Sequence, residues 1–284
     1  MSKNFVQNAL ARQLLIAGYR SFARAQLWRS GPRIFVNSIP KAGTHLLTAE
    51  LDKFTELQNS RLHIETRLVN AAAPDHARVE EVAIDADKAD RFLGQVRKGQ
   101  FFSAHLFWDD ALAARLRARD IRTIFMQRDP RDILVSRLKY VLGLERHYLH
   151  QHLAKELGSD EERLRVLILG RKADPFIRPM REMLESFAPW TSADFVLTVK
   201  FEDLVGERGG GTTEAKYRAL ERICTHCGLS TDRLAEFART PPKATPTLRE
   251  GRSNTWRKHL SPEIVALFEA ECGAATAALG YEGS

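Results

Sequence analysis

The sequence lacks the features that mark several specialised classes of protein. No window of its 284 residues reaches the roughly 18 uninterrupted apolar residues that predict a transmembrane helix. Three cysteines in a chain of this length argue against a disulfide framework and favour a reducing compartment. There is no internal repeat or low-complexity tract, and 44% of the residues are hydrophobic. The composition therefore predicts a globular protein with a sizeable core and excludes simple disorder.

Acidic residues are absent from the N-terminal part of the chain. No Asp or Glu occurs from Met1 to Ala49, whereas seven Lys and Arg residues fall in this stretch. The whole chain has 43 basic and 36 acidic residues, a formal net charge of +7. A positive surface attracts anions, which leaves nucleic acid, a membrane surface or a phosphorylated small molecule as partners.

Residues 1–30 predict a basic amphipathic helix, with the helical pattern running from Phe5 to Trp28. A secretory signal peptide fits poorly, because the apolar run Leu14–Ala17 is short and Arg12 lies just before it. The helix is expected to pack on the rest of the protein. The alternatives are a surface helix that rests on an anionic membrane and an Arg-rich transit peptide.

Residues 31–284 predict one α/β domain with a central, mostly parallel sheet flanked by helices. Strand-like and helix-like segments alternate here, which is typical of parallel sheets with crossover helices. The predicted strands are Arg33–Asn37, Phe101–Ala104, Arg122–Gln127 and Asp194–Val199. Ser261 and Pro262 predict the start of the last helix, with Ser at the N-cap and Pro at the first helical position.

The segment Ser38–His45 leaves a predicted strand and enters a predicted helix. Backbone N–H groups and the helix dipole hold phosphate groups at such places. Gly43 permits close backbone approach, Thr44 adds a hydroxyl donor and Lys41 adds a positive charge. This is not a Walker A loop, because Lys41 precedes Gly43 instead of following it. An ordinary strand-to-helix turn with a surface lysine is the alternative.

A second candidate anion site lies in the segment Arg128–Ser136. Arg128 follows the clearest predicted strand, and Ser136 lies about two helical turns later. Ligands of open α/β sheets gather beyond the carboxyl ends of the strands, so the two residues could hold a phosphate together. An Arg-Asp ion-pair network that caps the helix is the alternative.

Together these segments resemble the sulfotransferases that use 3′-phosphoadenosine 5′-phosphosulfate (PAPS). That family has a Pro-Lys-x-Gly-Thr loop, an Arg with a Ser eight residues later, a Tyr-Glu-Asp-Leu run and a C-terminal Arg-x-Gly element followed by a Trp. The counterparts are Pro40–Thr44, Arg128 with Ser136, Phe201–Leu204, and Arg249–Gly251 with Trp256. They cover most of the chain, and it is their combination that is specific.

The resemblance implies a P-loop-kinase-like fold and transfer of a sulfuryl group from PAPS to an acceptor hydroxyl, or less readily an amine, without a metal. His105 is the expected base, since an imidazole titrates near neutral pH. Lys41 would neutralise charge on the leaving phosphate, and Ser136 would restrain Lys41 until substrate binds. The residues expected to bind PAPS are Lys41, Ala42, Gly43, Thr44, His45, Arg128, Ser136, Arg249, Gly251 and Arg252.

The sequence also departs from the family pattern. Ser103 stands where a lysine usually precedes the base by two residues, and Leu46 follows His45 where an aromatic residue usually stacks on adenine. Glu250 replaces the lysine inside the Arg-x-Gly element, although Arg252 could restore the charge. These differences bear on adenine stacking and on the class of acceptor.

The acceptor is expected to be a small molecule or a lipid. Phe107, Trp108, Tyr140 and Tyr148 could line an apolar pocket, and the basic segment 1–30 favours a lipid or other apolar alcohol at a membrane. We expect a cytoplasmic protein, with peripheral contact to the inner face of a membrane through residues 1–30. Neither a nucleic-acid partner nor a particular oligomeric state is predicted.

Two other functions compete with sulfuryl transfer. A nucleotide-binding, kinase-like enzyme would share the α/β core, but it needs a Walker A lysine that this chain lacks. A noncatalytic protein that binds anionic membranes would depend on the basic N-terminal segment alone. A zinc or redox site at Cys224 and Cys227 is not expected, because no second ligand pair accompanies them and they lie late in a predicted helix.

Overall fold

All five strands of the sheet run parallel in the computed structural model, which describes residues 18, 31–70, 83–241 and 251–281. The strands are β1 (Arg33–Ser38), β2 (Gln58–Glu65), β3 (Gln100–His105), β4 (Ile121–Gln127) and β5 (Val196–Lys200). Their order in the sheet is β2-β3-β1-β4-β5. The predicted single α/β domain with a central sheet is confirmed, and the described sheet is entirely parallel.

Helices cover both faces of the sheet, as parallel crossovers require. The first six are α1 (Thr44–Leu51), α2 (Thr66–Val69), α3 (Ala86–Leu93), α4 (Asp110–Ala118), α5 (Pro130–Leu142) and α6 (Asp160–Leu169). The next six are α7 (Met180–Phe187), α8 (Pro189–Ser192), α9 (Phe201–Leu204), α10 (Thr213–Cys227), α11 (Leu234–Arg239) and α12 (Pro262–Ala278). A π-helix spans Gln151–Glu156, and short 3-10 helices span Glu207–Gly209 and Thr255–Lys258.

The central strand β1 is buried on both sides, which explains its continuous apolar run. Phe35 points to one face, where it stacks on Phe102 at 4.9 Å between ring centroids. Ile34 and Val36 point to the other face and join a second hydrophobic cluster. Successive side chains of a strand alternate between faces, so one short strand supplies both cores.

The ends of several helices follow the local sequence closely. Asp129 caps α5, its carboxylate accepting a hydrogen bond from the backbone of Arg131, and Pro130 takes the first helical position. Ser261 caps α12 in the same way, with Pro262 at the first position. The predicted start of this last helix is therefore confirmed, because its determinants lie within a few residues of one another.

One strand differs from the expectations. Strand β2 was not predicted; it alternates buried and more exposed residues over a polar stretch, and its pairing with β3 decides its conformation. Phe201–Leu204 forms the short helix α9 immediately after β5. None of the described helices is long and apolar enough to cross a bilayer. The predicted helix Phe5–Trp28 lies outside the described residues except for Gly18, which is helical and exposed.

Candidate active site

The two predicted anion-binding segments and His105 meet at one edge of the sheet. Strand β1 lies between β3 and β4, so the carboxyl ends of these three strands are adjacent. His105 is the last residue of β3, the segment after β1 contains Lys41, and Arg128 directly follows β4. Chain connections diverge at this point of a parallel sheet, and the resulting crevice is where such folds bind ligands.

The turn between β1 and α1 has an unusual backbone conformation. Lys41 and Gly43 have positive φ angles of 76° and 108°. A Cβ atom on Gly43 would lie 2.6 Å from Cδ2 of Phe201, a distance that real Cβ contacts do not reach. Gly43 precedes α1 without a side-chain cap, so no capping side chain occupies the N-terminus of the helix, which is suited to hold an anion. Ala42 is buried beneath the turn and His45 is exposed.

Hydrogen bonds join this turn to His105. The hydroxyl groups of Ser38 and Thr44 are 2.6 Å apart, and Nδ1 of His105 lies 2.9 Å from the carbonyl oxygen of Ser38. A carbonyl oxygen can only accept, so Nδ1 of His105 carries the proton and donates it. This tautomer leaves the lone pair on Nε2, the form that an imidazole base requires.

Burial, reinforced by the ring of His63, lowers the pKa of His105 from 6.5 to about 3. The rings of the two histidines lie edge to face, 4.8 Å between centroids. His45 and Lys41 add further positive charge and also lower the pKa of His105. His105 is therefore neutral at physiological pH. An anion in the crevice would offset these charges and make protonation of His105 easier.

His63 is a site residue that the sequence did not reveal. It lies on β2, the strand that was not predicted, and its Nδ1 is 2.9 Å from the hydroxyl of Ser103 on β3. Ser103 is the residue that replaces the usual lysine before the base, so a serine–histidine pair occupies this place. Burial lowers the pKa of His63 and nearby His45 lowers it further, while Glu65 raises it. Only the pairing of β2 with β3 brings His63 here.

Lys41 extends toward helix α5. Its Nζ atom lies 3.9 Å from the ring centroid of Tyr140, an attractive cation–π contact. Tyr140 follows Ser136 by one helical turn, so the two side chains lie on the same face of α5. Helix α5 thus presents Ser136 and Tyr140 to the turn that contains Lys41.

Arg128 is buried at the start of α5 and is held from three sides. Its Nη2 donates to the carbonyl oxygen of Arg252 at 2.7 Å and lies 3.5 Å from a carboxylate oxygen of Asp132. Its guanidinium group lies over the ring of Phe201 at 4.3 Å. Nε of Arg128 is buried and has no hydrogen-bond partner among the described residues. The Arg-Asp network that the sequence left as the alternative is therefore present, and an anion site at Arg128 stays a prediction.

The C-terminal element is held against α5. Asp132 accepts hydrogen bonds from the hydroxyl of Thr255 and the backbone N–H of Trp256, both at 2.8 Å. Gly251 has a positive φ of 54°, and Arg252 places its carbonyl oxygen on Arg128 while its side chain is exposed. Arg249 lies outside the described residues. Gly251 and Arg252 thus share one site with Arg128.

The model of the sulfotransferase domain family matches residues 31–280. The chain belongs to the sulfotransferase family. The match covers the turn at Lys41, His105, the Arg128–Ser136 segment and the C-terminal element alike. A comparison with curated protein sequences finds no match.

Three solved structures resemble the chain, and the first of them supports the sulfotransferase fold. Mouse sulfotransferase SULT7A1, complexed with PAP, is 16% identical with a TM-score of 0.56, over 88% of this chain and 89% of that one. A retinol dehydratase in complex with androsterone and inactive cofactor PAP is 13% identical with a TM-score of 0.43, over 92% and 84%. The sulfotransferase domain of the Synechococcus PCC 7002 olefin synthase is 14% identical with a TM-score of 0.44, over 86% and 98%. The P-loop-like architecture expected from the sequence is confirmed, and family membership decides against the kinase-like alternative.

The remaining motifs of this sulfotransferase have structural surroundings of their own. Burial raises the pKa of the Cys224 and Cys227 thiols to about 11 and about 12, so both are protonated. Within the described residues no group of His, Cys, Asp and Glu side chains has an arrangement suited to a metal ion.

Phe107 packs edge-on against Phe187, and Trp108 packs edge-on against Trp190, so Phe107 and Trp108 both belong to the aromatic core beside α7 and α8.

Proposed function

We propose that the protein transfers the sulfuryl group of PAPS to a hydroxyl group, with His105 as the general base. The observation that carries this proposal is the hydrogen-bonded path from Thr44 through Ser38 to His105. It connects a helix N-terminus suited to a phosphosulfate with a neutral imidazole, at the edge of the sheet where Arg128 also lies. An amine acceptor is the less favoured variant.

The residues present fit a donor with several negative charges. The unpartnered buried Nε of Arg128 offers a hydrogen bond to an anion beside Ser136, the place proposed for the 3′-phosphate. Gly251 and Arg252 would complete this site, together with Arg249. The N–H groups after Gly43, with Lys41, Thr44 and His45, would hold the 5′-phosphosulfate. When bound, PAPS supplies the activated sulfuryl group. The PAP described with the mouse sulfotransferase supports this choice of donor.

Each chain residue then has a defined task. Nε2 of His105 accepts the proton of the acceptor hydroxyl, because Nδ1 already donates to the carbonyl of Ser38. Lys41 neutralises negative charge that develops on the departing phosphate oxygen, and helix N–H groups stabilise the remaining oxygens. Tyr140 keeps the ammonium group of Lys41 beside α5, where Ser136 can restrain it. Positioning and charge stabilisation, without a metal, would thus supply the catalysis.

Replacement of His105 tests the proposal directly. His105→Ala should lower the turnover of PAPS with an accepted hydroxyl compound by about 10²–10⁴-fold. The same variant should keep its affinity for PAP, measured by calorimetry, because the His105 ring hydrogen-bonds to Ser38, which is not among the residues proposed to bind the nucleotide. Unchanged turnover would eliminate His105 as the base. Absence of saturable PAP binding to the unaltered protein would refute PAPS-dependent transfer altogether.

Membrane contact through residues 1–30 stays a prediction, as do a cytoplasmic location and a lipid acceptor. These residues lie outside the described part of the chain apart from Gly18. Sedimentation with vesicles that contain phosphatidylserine should retain the full chain at low salt and release it at high salt. A variant with Arg12, Arg20 and Arg24 replaced by Gln should stay in the supernatant. Equal sedimentation of both proteins would contradict the prediction.

A further inference from the structure

A cluster of aromatic and basic side chains extends from Lys41 along helix α5. The ring of Tyr140 contacts Lys41 on one side and lies 5.6 Å, edge to face, from the ring of His147. His147 in turn stacks on Tyr148, with 4.8 Å between the centroids. Tyr148 is 49% exposed, so the cluster opens to solvent at this end. We name these residues, together with Arg137, the α5 cluster.

Arg137 brings a positive charge into the α5 cluster, and no negative charge among the described residues matches it. It follows Ser136 directly, and the hydroxyl of Tyr148 lies beside its guanidinium group. Its Nη1 is buried and has no hydrogen-bond partner among the described residues, and no described carboxylate forms an ion pair with it. Buried charges are normally paired, because desolvation is costly, so this guanidinium group is suited to bind an anion.

The surroundings of Arg137 strengthen this point. Burial lowers the pKa of Arg137, which reports the cost of keeping its charge away from water. The pKa of His147 is lowered to about 4, chiefly by burial and additionally by nearby Arg137, His150 and Lys41. His147 is therefore neutral and adds no competing charge. An anion beside Arg137 would pair with its positive charge and so raise the pKa of both Arg137 and His147.

The anion expected beside Arg137 is not the donor PAPS. The two charged ends of PAPS are already assigned, one to the turn at Lys41 and the other to Arg128 with Ser136. Arg137 instead lies near Tyr148 and His147, which follow α5 in a segment that contains none of the proposed donor-binding residues. The α5 cluster starts at Lys41, where the sulfuryl group would be transferred, and ends at the exposed ring of Tyr148. An acceptor molecule could lie along this path.

We propose that Arg137 binds an acidic group of the acceptor, so that the acceptor is a hydroxylated carboxylic acid instead of a purely apolar alcohol. The inference rests on the proposed sulfuryl transfer, since it names the acceptor class for that reaction. Tyr140, His147 and Tyr148 provide the aromatic wall between the acidic group and the hydroxyl that reacts. A guanidinium group recognises carboxylates well, because its planar fork can donate two parallel hydrogen bonds.

Matched acids and esters test the inference by direct binding. The protein is saturated with PAP and titrated in a calorimeter with para-hydroxyphenylacetate, hydroxystearate and cholate, each compared with its methyl ester. The best-bound acid should bind about 10–100-fold more tightly than its ester, the range expected for a charged hydrogen bond. Arg137→Gln should abolish this preference, and Arg137→Lys should retain part of it. Tyr148→Phe should keep the preference, because the guanidinium group remains. Arg218→Gln, at an exposed arginine of α10, is the matched control.

Three results would overturn the inference. The first is that no acid of the panel binds more tightly than its ester. The second is that Arg137→Gln weakens the binding of acid and ester equally, as a structural role predicts. The third is that Arg137→Gln weakens the binding of PAP instead of the binding of the acid. Failure of the proposed function is recognised separately, as absence of PAP binding to the unaltered protein. The titrations are then made without nucleotide, and the preference for acid over ester still decides whether Arg137 binds an anion.

Discussion

Replacement of Gly43 by alanine probes the geometry of the turn on which the proposed donor site depends. The new Cβ would lie 2.6 Å from Cδ2 of Phe201 and 3.1 Å from the terminal carbon of Met126. The backbone at φ 108° is also one that residues with a Cβ rarely adopt. The left-handed conformation costs about 1–2 kcal/mol, and overpacking adds about 1–3 kcal/mol. Gly43→Ala should therefore lower the free energy of unfolding by about 2–5 kcal/mol.

Gly228→Ala is a matched control, because it separates backbone strain from steric conflict. Gly228 ends α10 with a φ of 68°, and a Cβ there would meet no atom within 4 Å. In this variant the free energy of unfolding should fall only by the cost of the left-handed backbone conformation, about 1–2 kcal/mol. Urea denaturation of both variants measures the two losses, and calorimetry measures PAP affinity. Gly43→Ala should lose at least about tenfold in affinity, since a shifted turn misplaces charged hydrogen-bond donors. Gly228→Ala should bind PAP normally.

One combination of results would refute this reasoning. If both variants lose the same free energy and both keep full PAP affinity, then contact with Phe201 does not shape the turn. The turn would then be a passive connection, which is the alternative that the sequence left open for Ser38–His45. A destabilised Gly43→Ala variant with unchanged PAP affinity would separate the two parts of the argument, supporting the steric conflict but contradicting the donor site.

Two further predictions concern stability. The pKa of His105 is about 3 in the folded protein against 6.5 for the free side chain, so acidification protonates the unfolded chain first and stability falls below pH 6.5. By pH 4.5 the protein should lose about 2–3 kcal/mol more than a His105→Gln variant, measured by urea denaturation; equal losses would contradict the pKa shift. Glu50→Ala should lower the free energy of unfolding by about 3–5 kcal/mol, because the buried Glu50 carboxylate pairs with Lys53 at 2.6 Å and Lys216 at 2.9 Å. Glu214→Ala, which breaks an exposed pair on α10, should cost under about 1 kcal/mol, and similar losses for the two variants would refute the importance of burial.

Much of the candidate site was predictable because its residues belong to short local patterns. Lys41, Gly43 and Thr44 stand in a strand-to-helix turn that is recognisable from adjacent residues. Arg128 and Ser136 follow the clearest predicted strand at a fixed helical spacing. These patterns predict which residues face an anion, since a strand end and a helix start define the local direction of the backbone. That those residues bind PAPS stays a prediction.

The parts that escaped prediction depend on contacts between distant segments. Strand β2 has a mixed, polar sequence, and its pairing with β3 selects the extended conformation. His63 reaches His105 only through this pairing. The contacts of Phe107 with Phe187 and of Trp108 with Trp190 could not be predicted either, because these residues are distant in sequence. A role of Phe107 and Trp108 in an acceptor pocket stays a prediction.

The sequence by itself determined the alternation of strands and helices, the caps of α5 and α12, and the motifs that place the chain in its family. These depend on backbone preferences and side chains a few residues apart. The tertiary structure decided which strand ends adjoin, that His105 is neutral beside His63, and that Nη1 of Arg137 is buried without a hydrogen-bond partner among the described residues. Burial and electrostatic surroundings are set by every segment packed around a group, so only the folded chain defines them.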